Sequence, residues 1–283
     1  MTQATHNSQR YRDSTVALLT KHHKAPVIAP ALDVLRLSVI STDAFDTDTL
    51  GMFSGEVQRT LSPIECARQK AKLACELTGA PLGLGSEGSF GGGPMPGLLN
   101  WDDEILLLYD AESSTEIVAF AAGPVRLKPI QFSSLAELDE RLRAHNEEQA
   151  WMLHHQDDVF KGLTGVAAIS ALLAKLKLMS HDQLTHPLTL EPDLRAMHCP
   201  ERREYIRQAA EQLAQRLQSL CPSCAAPDFW QHAVERGLPC RWCGEPTERV
   251  KAMIKQCPQC QHAERESVAD EFADPGECQW CNP

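Results

Sequence analysis

The chain has 283 residues, 27 Lys/Arg against 38 Asp/Glu, and a formal net charge of −11. That length suits one substantial domain plus a small one, and the acidic balance argues against a DNA-coating protein or a partner for anionic membranes. No apolar stretch approaches the roughly 18 residues needed to cross a bilayer. The polar start, Met1 to Arg12, lacks the apolar core of a signal peptide, so a reducing cytoplasm is the expected setting.

The predicted elements begin with a strand over Ser14–Thr20, a short apolar run bounded by charge. A helix is expected from Ala25 to Leu35, then a second strand over Leu37–Ile40 and a polar loop over Ser41–Thr49. Ser62-Pro63-Ile64-Glu65 carries the signature of a capping box with proline in the first turn, opening a helix that ends at Thr78-Gly79. Leu82–Leu84 predicts a strand that runs into a glycine-rich turn, Gly85 to Pro94, and strands follow at Glu104–Tyr109 and Glu116–Ala121. Helices are expected over 134–150, 163–177 and 200–219. Alternating strands and helices indicate an α/β domain over residues 14–180. Residues 181–220 read as a helical connector and residues 221–283 as a cysteine-rich tail.

That tail holds four Cys-x-x-Cys pairs: Cys221/Cys224, Cys240/Cys243, Cys257/Cys260 and Cys278/Cys281. Two thiolates in one tight knuckle grip one face of a metal ion, and a second knuckle completes a tetrahedral S4 site. Fifteen residues separate the first two knuckles and seventeen the last two, both ordinary for a zinc ribbon. The expectation is two structural Zn²⁺ ions, with iron the chemically allowed substitute. A reducing setting disfavours disulfides, and redox Cys-x-x-Cys motifs occur singly on a βαβ unit. Sequential pairing of the knuckles is expected, and interleaved pairing stays open. Within 221–283 six Lys/Arg face ten Asp/Glu, unlike a nucleic-acid module. Trp230, Trp242 and Trp280 are expected to form the core of the module. Cys66, Cys75 and Cys199 are spare and read as buried thiols.

In the N-terminal domain Thr20-Lys21-His22-His23-Lys24 follows the first strand, where exposed backbone N–H groups and two lysines suit a phosphate. Acidic residues gather in the loops at Asp46, Asp48 and Glu56 and again at Asp102, Asp103 and Glu104. Gly91-Gly92-Gly93 lacks the Gly-Lys-Ser/Thr of a phosphate-binding Walker loop. Asp193 and Arg195 read as a local ion pair. Arg195 is also kept as a candidate substrate contact, and Arg202/Arg203 stand ready to reach an anion.

Three blocks carry a family resemblance: Glu65-Cys66-Ala67-Arg68-Gln69-Lys70-Ala71-Lys72, then Thr78-Gly79-Ala80-Pro81, then Gly85-Ser86-Glu87-Gly88. Together with the Lys21–Lys24 loop they resemble the inosine/xanthosine triphosphate pyrophosphatase family, including its non-canonical purine triphosphatase branch, over residues 15–125. The resemblance implies a mixed-sheet α/β fold and Mg²⁺-dependent hydrolysis, or binding, of nucleotide phosphates. It implies Glu65 as a magnesium ligand, Lys24 and Lys70 as phosphate contacts, and Glu87, beside Ser86, as the acid that holds metal or activates water. Cys66 stands where the family has asparagine, as does Lys21, and the acidic turn is reduced to Ser86-Glu87. The whole layout also resembles an uncharacterised bacterial family that joins such a block to a double Cys-x-x-Cys tail. The alternative function is a non-enzymatic adaptor whose zinc tail meets protein or nucleic acid and whose α/β domain is a degenerate ligand binder.

Overall fold

A computed structural model describes residues 10–46, 61–91, 93–94, 100–180 and 183–283. The acidic candidates Asp48 and Glu56 lie outside the described residues, as does Gly92. The chain divides into two compact units, Asp13–Leu213 and a smaller one built on Ala214–Pro283.

The larger unit begins with β1 (Thr15–Leu19), α1 (Ala25–Leu32) and β2 (Ser38–Thr42), followed by α2 (Pro63–Thr78), β3 (Leu82–Phe90), β4 (Asn100–Asp110) and β5 (Thr115–Val125). These strands form one mixed sheet in the order β2-β1-β3-β4-β5; β1 pairs parallel with both β2 and β3, and β4 and β5 add antiparallel. Val16, Leu18 and Leu84 lie in the core with Leu106 and Leu108. The expected strands, the α/β class and the start of α2 stand. The capping box is present, with Ser62 accepting from the Glu65 N–H, and Gly79 ends the helix in the left-handed conformation (φ 71°).

Where a glycine-rich turn was expected after Leu84, β3 continues to Phe90. The reason is steric. A Cβ on Gly83 would lie 1.9 Å from the Ala71 carbonyl oxygen, and one on Gly85 only 1.7 Å from that of Ala67. The glycines let the backbone of α2 rest directly on the strand, so they serve packing rather than turning.

A second sheet was not foreseen. It is built from β6 (Ile130–Ser134), β7 (Trp151–His155), β8 (Asp158–Leu163), β9 (Met179–Ser180) and β10 (Gln183–Pro192), with α3 (Leu135–Leu142) and α4 (Gly165–Lys175). Its order is β6-β10-β7-β8, with β9 also paired to β10. Phe132, Leu138, Trp151, Leu153, Ile169, Leu173 and Leu190 form its core. The expected helical connector over 181–220 therefore needs correction: its first half is a central strand of this sheet. Only the second half is helical, as α5 (Pro200–Gln218).

The smaller unit carries a three-stranded antiparallel sheet of β11 (Trp230–Arg236), β12 (Val250–Gln256) and β13 (Ala263–Ser267). Arg216 binds Asp228 at 2.6 Å, and the Phe229 N–H donates to the Ser219 carbonyl, which ties the end of α5 to the start of this module.

Candidate functional sites

Two groups of four thiols assemble in the smaller unit: Cys221, Cys224, Cys257 and Cys260, and Cys240, Cys243, Cys278 and Cys281. Within each group all four sulfurs lie inside 4.8 Å of one another. Contacts between knuckles include 3.6 Å for Cys221–Cys260 and Cys224–Cys257, 3.7 Å for Cys243–Cys278 and 3.9 Å for Cys240–Cys281. Sulfurs about 2.3 Å from one zinc stand about 3.8 Å apart in a tetrahedron, whereas disulfide sulfurs stand about 2.05 Å apart. The donor set and spacing fit two tetrathiolate metal ions. The Cys260 N–H lies 3.5 Å from the Cys257 sulfur, the kind of contact that favours a thiolate.

The expected sequential pairing is corrected: the knuckles interleave, first with third and second with fourth. Strand register explains this. The first knuckle precedes β11 and the third lies in the β12–β13 turn, and pairing of Trp230 with Gln256 brings those two ends together. The second knuckle follows β11 at the opposite end of the sheet. There β13 delivers the chain, through the Ser267–Ala252 pair, toward the fourth. The tryptophan expectation is also corrected. Trp242 and Trp280 are 77% and 73% exposed, and Trp230 is half-buried beneath the Arg216 guanidinium.

In the larger unit, charged groups line both faces of β3: Lys24 and Arg202 meet Ser86 and Glu104 on one face, and Lys70 of α2 meets Glu87 on the other. Pro26 helps open α1, and Lys24, at its N-cap, is buried. The Lys24 ammonium donates to Ser86 Oγ at 2.8 Å and to Glu104 Oε2 at 3.4 Å. From α2, Lys70 binds Glu87 at 2.5 Å. From α5, Arg202 Nε donates to Glu104 Oε1 at 2.5 Å, and its Nη1 donates to the Leu194 carbonyl. Gly88 lies opposite Glu104 in the ladder, and a Cβ there would sit 2.4 Å from Arg202 Nη2, so this glycine keeps room for the buried pair. Arg202 also lies over the Phe90 ring.

Asp102 shares the face of β4 that carries Glu104. It is fully buried, and both its carboxylate oxygens lack a hydrogen-bond partner. Burial, then the neighbouring Glu104 charge, push its pKa up to about 7. Burial lowers Lys24 to about 8 against the pull of Glu104. Glu104 itself is held below the usual carboxylate range, because Arg202 and Lys24 outweigh its burial. The site therefore holds Glu104 as a carboxylate beside Arg202, a lysine whose ammonium is weakened by burial, and one carboxyl that exchanges its proton near neutrality.

Of the expected site residues, Lys24 meets Ser86 on one face of β3 and Lys70 meets Glu87 on the other, and Lys24 feels the charges of both Glu87 and Lys70. Glu65 does not join them. It is exposed and occupied by Ser62, whose N–H and hydroxyl both donate to Glu65 Oε2, and these bonds lower its pKa. Lys21 is paired with Asp46 near the surface, and Thr20 Oγ1 accepts from the His22 N–H. Arg195 forms the expected brace with buried Asp193, at 2.6 Å. Sequence reading had named Asp102, Glu104 and Arg202 separately; their union depends on a contact between residues 98 positions apart. Cys66, Cys75 and Cys199 are buried, and burial raises the Cys199 thiol to about 11, which suits inert thiols.

Fold and sites together define an α/β protein with a buried charge cluster and a tetrathiolate tail. The chain belongs to the family of the domain of unknown function DUF6671, whose model matches residues 70–283. The matched part contains Lys70, Glu87, Asp102, Glu104, Arg202 and all eight tail cysteines; Lys24 and Glu65 precede it. No curated protein and no solved structure matches the chain.

Proposed function

We propose that the larger unit binds a phosphate-bearing small molecule of the nucleotide class, and that two Zn²⁺ ions hold the smaller unit as a structural module. The observation that carries the first part is the convergence of Lys24 and Arg202 on Glu104 beside Asp102, a carboxyl that is buried with nothing to bond, with the Lys70–Glu87 pair across β3 within electrostatic reach of Lys24. Buried polar atoms without partners are uncommon and mark places where a ligand, ion or water completes the set. Cations on phosphate oxygens and carboxylates nearby are the elements that phosphate chemistry uses.

Among the described residues only the cysteine groups bring three or more metal-ligating side chains within 4.8 Å. A Mg²⁺ ion at the charge cluster is therefore part of this reading only as a companion of the phosphate, held by a single carboxylate such as Asp102. Mg²⁺ would supply charge neutralisation on the phosphate oxygens. The chain's own part is to orient the phosphate through the two lysines and to accept a proton at Asp102. That second capacity favours hydrolysis as the accompanying activity. Glu65 is outside this reading.

The test is a nucleotide panel that includes ITP and XTP, run with Mg²⁺, following thermal stabilisation and pyrophosphate release. At least one member should bind, and Lys24→Ala and Lys70→Ala should each weaken binding about tenfold or more. No binding and no turnover across the panel would overturn the proposal.

A further inference from the structure

Exposed aromatic residues scattered singly are ordinary on a protein surface, but Trp242 and Trp280 are placed as a pair. Each occupies the third position of a knuckle, in Cys240-Arg241-Trp242-Cys243 and in Cys278-Gln279-Trp280-Cys281, and these two knuckles are the halves of one thiol group. The other group supplies an internal comparison. Its knuckles read Cys221-Pro222-Ser223-Cys224 and Cys257-Pro258-Gln259-Cys260, with the same sulfur spacing and no aromatic residue. Tetrathiolate geometry thus asks for no tryptophan at this position. Phe272, 45% exposed, adjoins the same place, because the Arg241 N–H donates to the Ala273 carbonyl and the Ala273 N–H donates to that of Pro239.

The charge around this aromatic face is one-sided. Glu245, Glu248, Asp270, Glu271, Asp274 and Glu277 are all exposed in the two segments that carry the knuckles. Against these six acids stand Arg241, Arg249 and Arg236, of which Arg249 is held by Glu277 at 3.2 Å and Arg236 donates to the Glu248 carbonyl at 2.6 Å. Four thiolates around a divalent ion add about two further negative charges. Indole faces in a negative field attract cations, guanidinium above all, whereas a nucleic-acid phosphate backbone would be repelled.

We infer that the Trp242–Trp280 face captures a basic segment of a partner protein, whose Arg and Lys side chains lie on the two indoles while the surrounding carboxylates meet their charge. Tryptophan is a preferred anchor at such interfaces, and charge complementarity selects the partner. The inference rests on the two-zinc reading of the tail and is independent of the nucleotide reading.

The test uses the full zinc-loaded chain and fluorescence anisotropy with three probes: a labelled Arg- and Lys-rich peptide, its Glu-substituted counterpart, and single-stranded DNA of similar length. The basic peptide should bind about tenfold or more tightly than either other probe. Trp242→Ala with Trp280→Ala should weaken it about tenfold, while Phe at both positions retains most of the affinity. Zinc is measured on every sample. Equal binding of basic and acidic peptides overturns the inference, as does DNA binding of similar strength or an alanine variant that binds like the parent. If alanine itself lowers zinc content, Asp270→Asn with Glu271→Gln, which leaves both knuckles intact, must weaken the basic peptide about twofold or more; no weakening overturns the inference. A parent chain that holds less than two zinc refutes the tetrathiolate reading first, and this inference with it.

Discussion

Asp102 is the residue whose chemistry is most sharply defined by its surroundings. Its folded pKa lies near 7, above the ordinary 3.8. Between those values the folded chain holds a proton that the unfolded chain has released, so this carboxyl makes stability fall as pH rises from about 4 to about 7, and level off above. Asparagine keeps the shape and removes the titration. Asp102→Asn should therefore raise the urea midpoint at pH 8, corresponding to an unfolding free energy larger by on the order of a few kcal/mol, and flatten the decline between pH 4.5 and 7. A variant with the parent's midpoint at pH 8 and the parent's slope below it would show that Asp102 is not a strained buried carboxyl. The same substitution should abolish turnover, if any nucleotide is hydrolysed, while leaving the two lysines in place to bind it.

At the scale of elements, the junction of α2 with β3 positions half of the site, since it sets Lys70 on Glu87. Gly85→Ala would place a methyl group against the Ala67 carbonyl oxygen, and a backbone atom in a helix cannot step aside as a flexible side chain can. The substitution should destabilise the larger unit by about 3 kcal/mol or more in urea unfolding; a loss below about 1 kcal/mol would mean that helix and strand separate freely. This junction shows what was readable in advance. The capping box at Ser62 and Glu65 was legible because it is local, as was β4, whose run Ile105-Leu106-Leu107-Leu108 is apolar throughout. Gly85-Ser86-Glu87-Gly88 was misread as a turn, because glycine for a turn and glycine for a close helix look alike until the partner helix is known. The second sheet escaped for a related reason: β10 reads Gln183-Leu184-Thr185-His186-Pro187-Leu188, polar and interrupted by proline, and becomes a strand only through β6 and β7. Glu65 shows the converse. A residue that matches a family's ligand position can be fully occupied by its own helix cap.

For the molecule as a whole, the interleaved knuckles make a claim that metal counting can decide. Structural zinc in small modules is worth on the order of 10–16 kcal/mol of apparent binding free energy, so zinc content reports each site as present or lost. The intact chain should hold two zinc per chain, one for each thiol group. Cys221→Ser with Cys257→Ser removes two ligands from one group and leaves Cys240, Cys243, Cys278 and Cys281 whole, so one zinc should remain. Cys221→Ser with Cys240→Ser damages both groups, so little or none should remain. Sequential pairing would reverse the two results, because Cys221 and Cys240 would then share a site. A strong chelator acting on the parent chain should melt β11–β13, where metal ligation joins the sheet ends, while Asp13–Leu213 keeps its own hydrophobic cores. Limited proteolysis of the chelated protein should accordingly cut beyond about residue 214 and spare the sheets before it. Rapid cleavage within β3–β5 under the same conditions would show that the larger unit depends on the metal-bound tail for its fold.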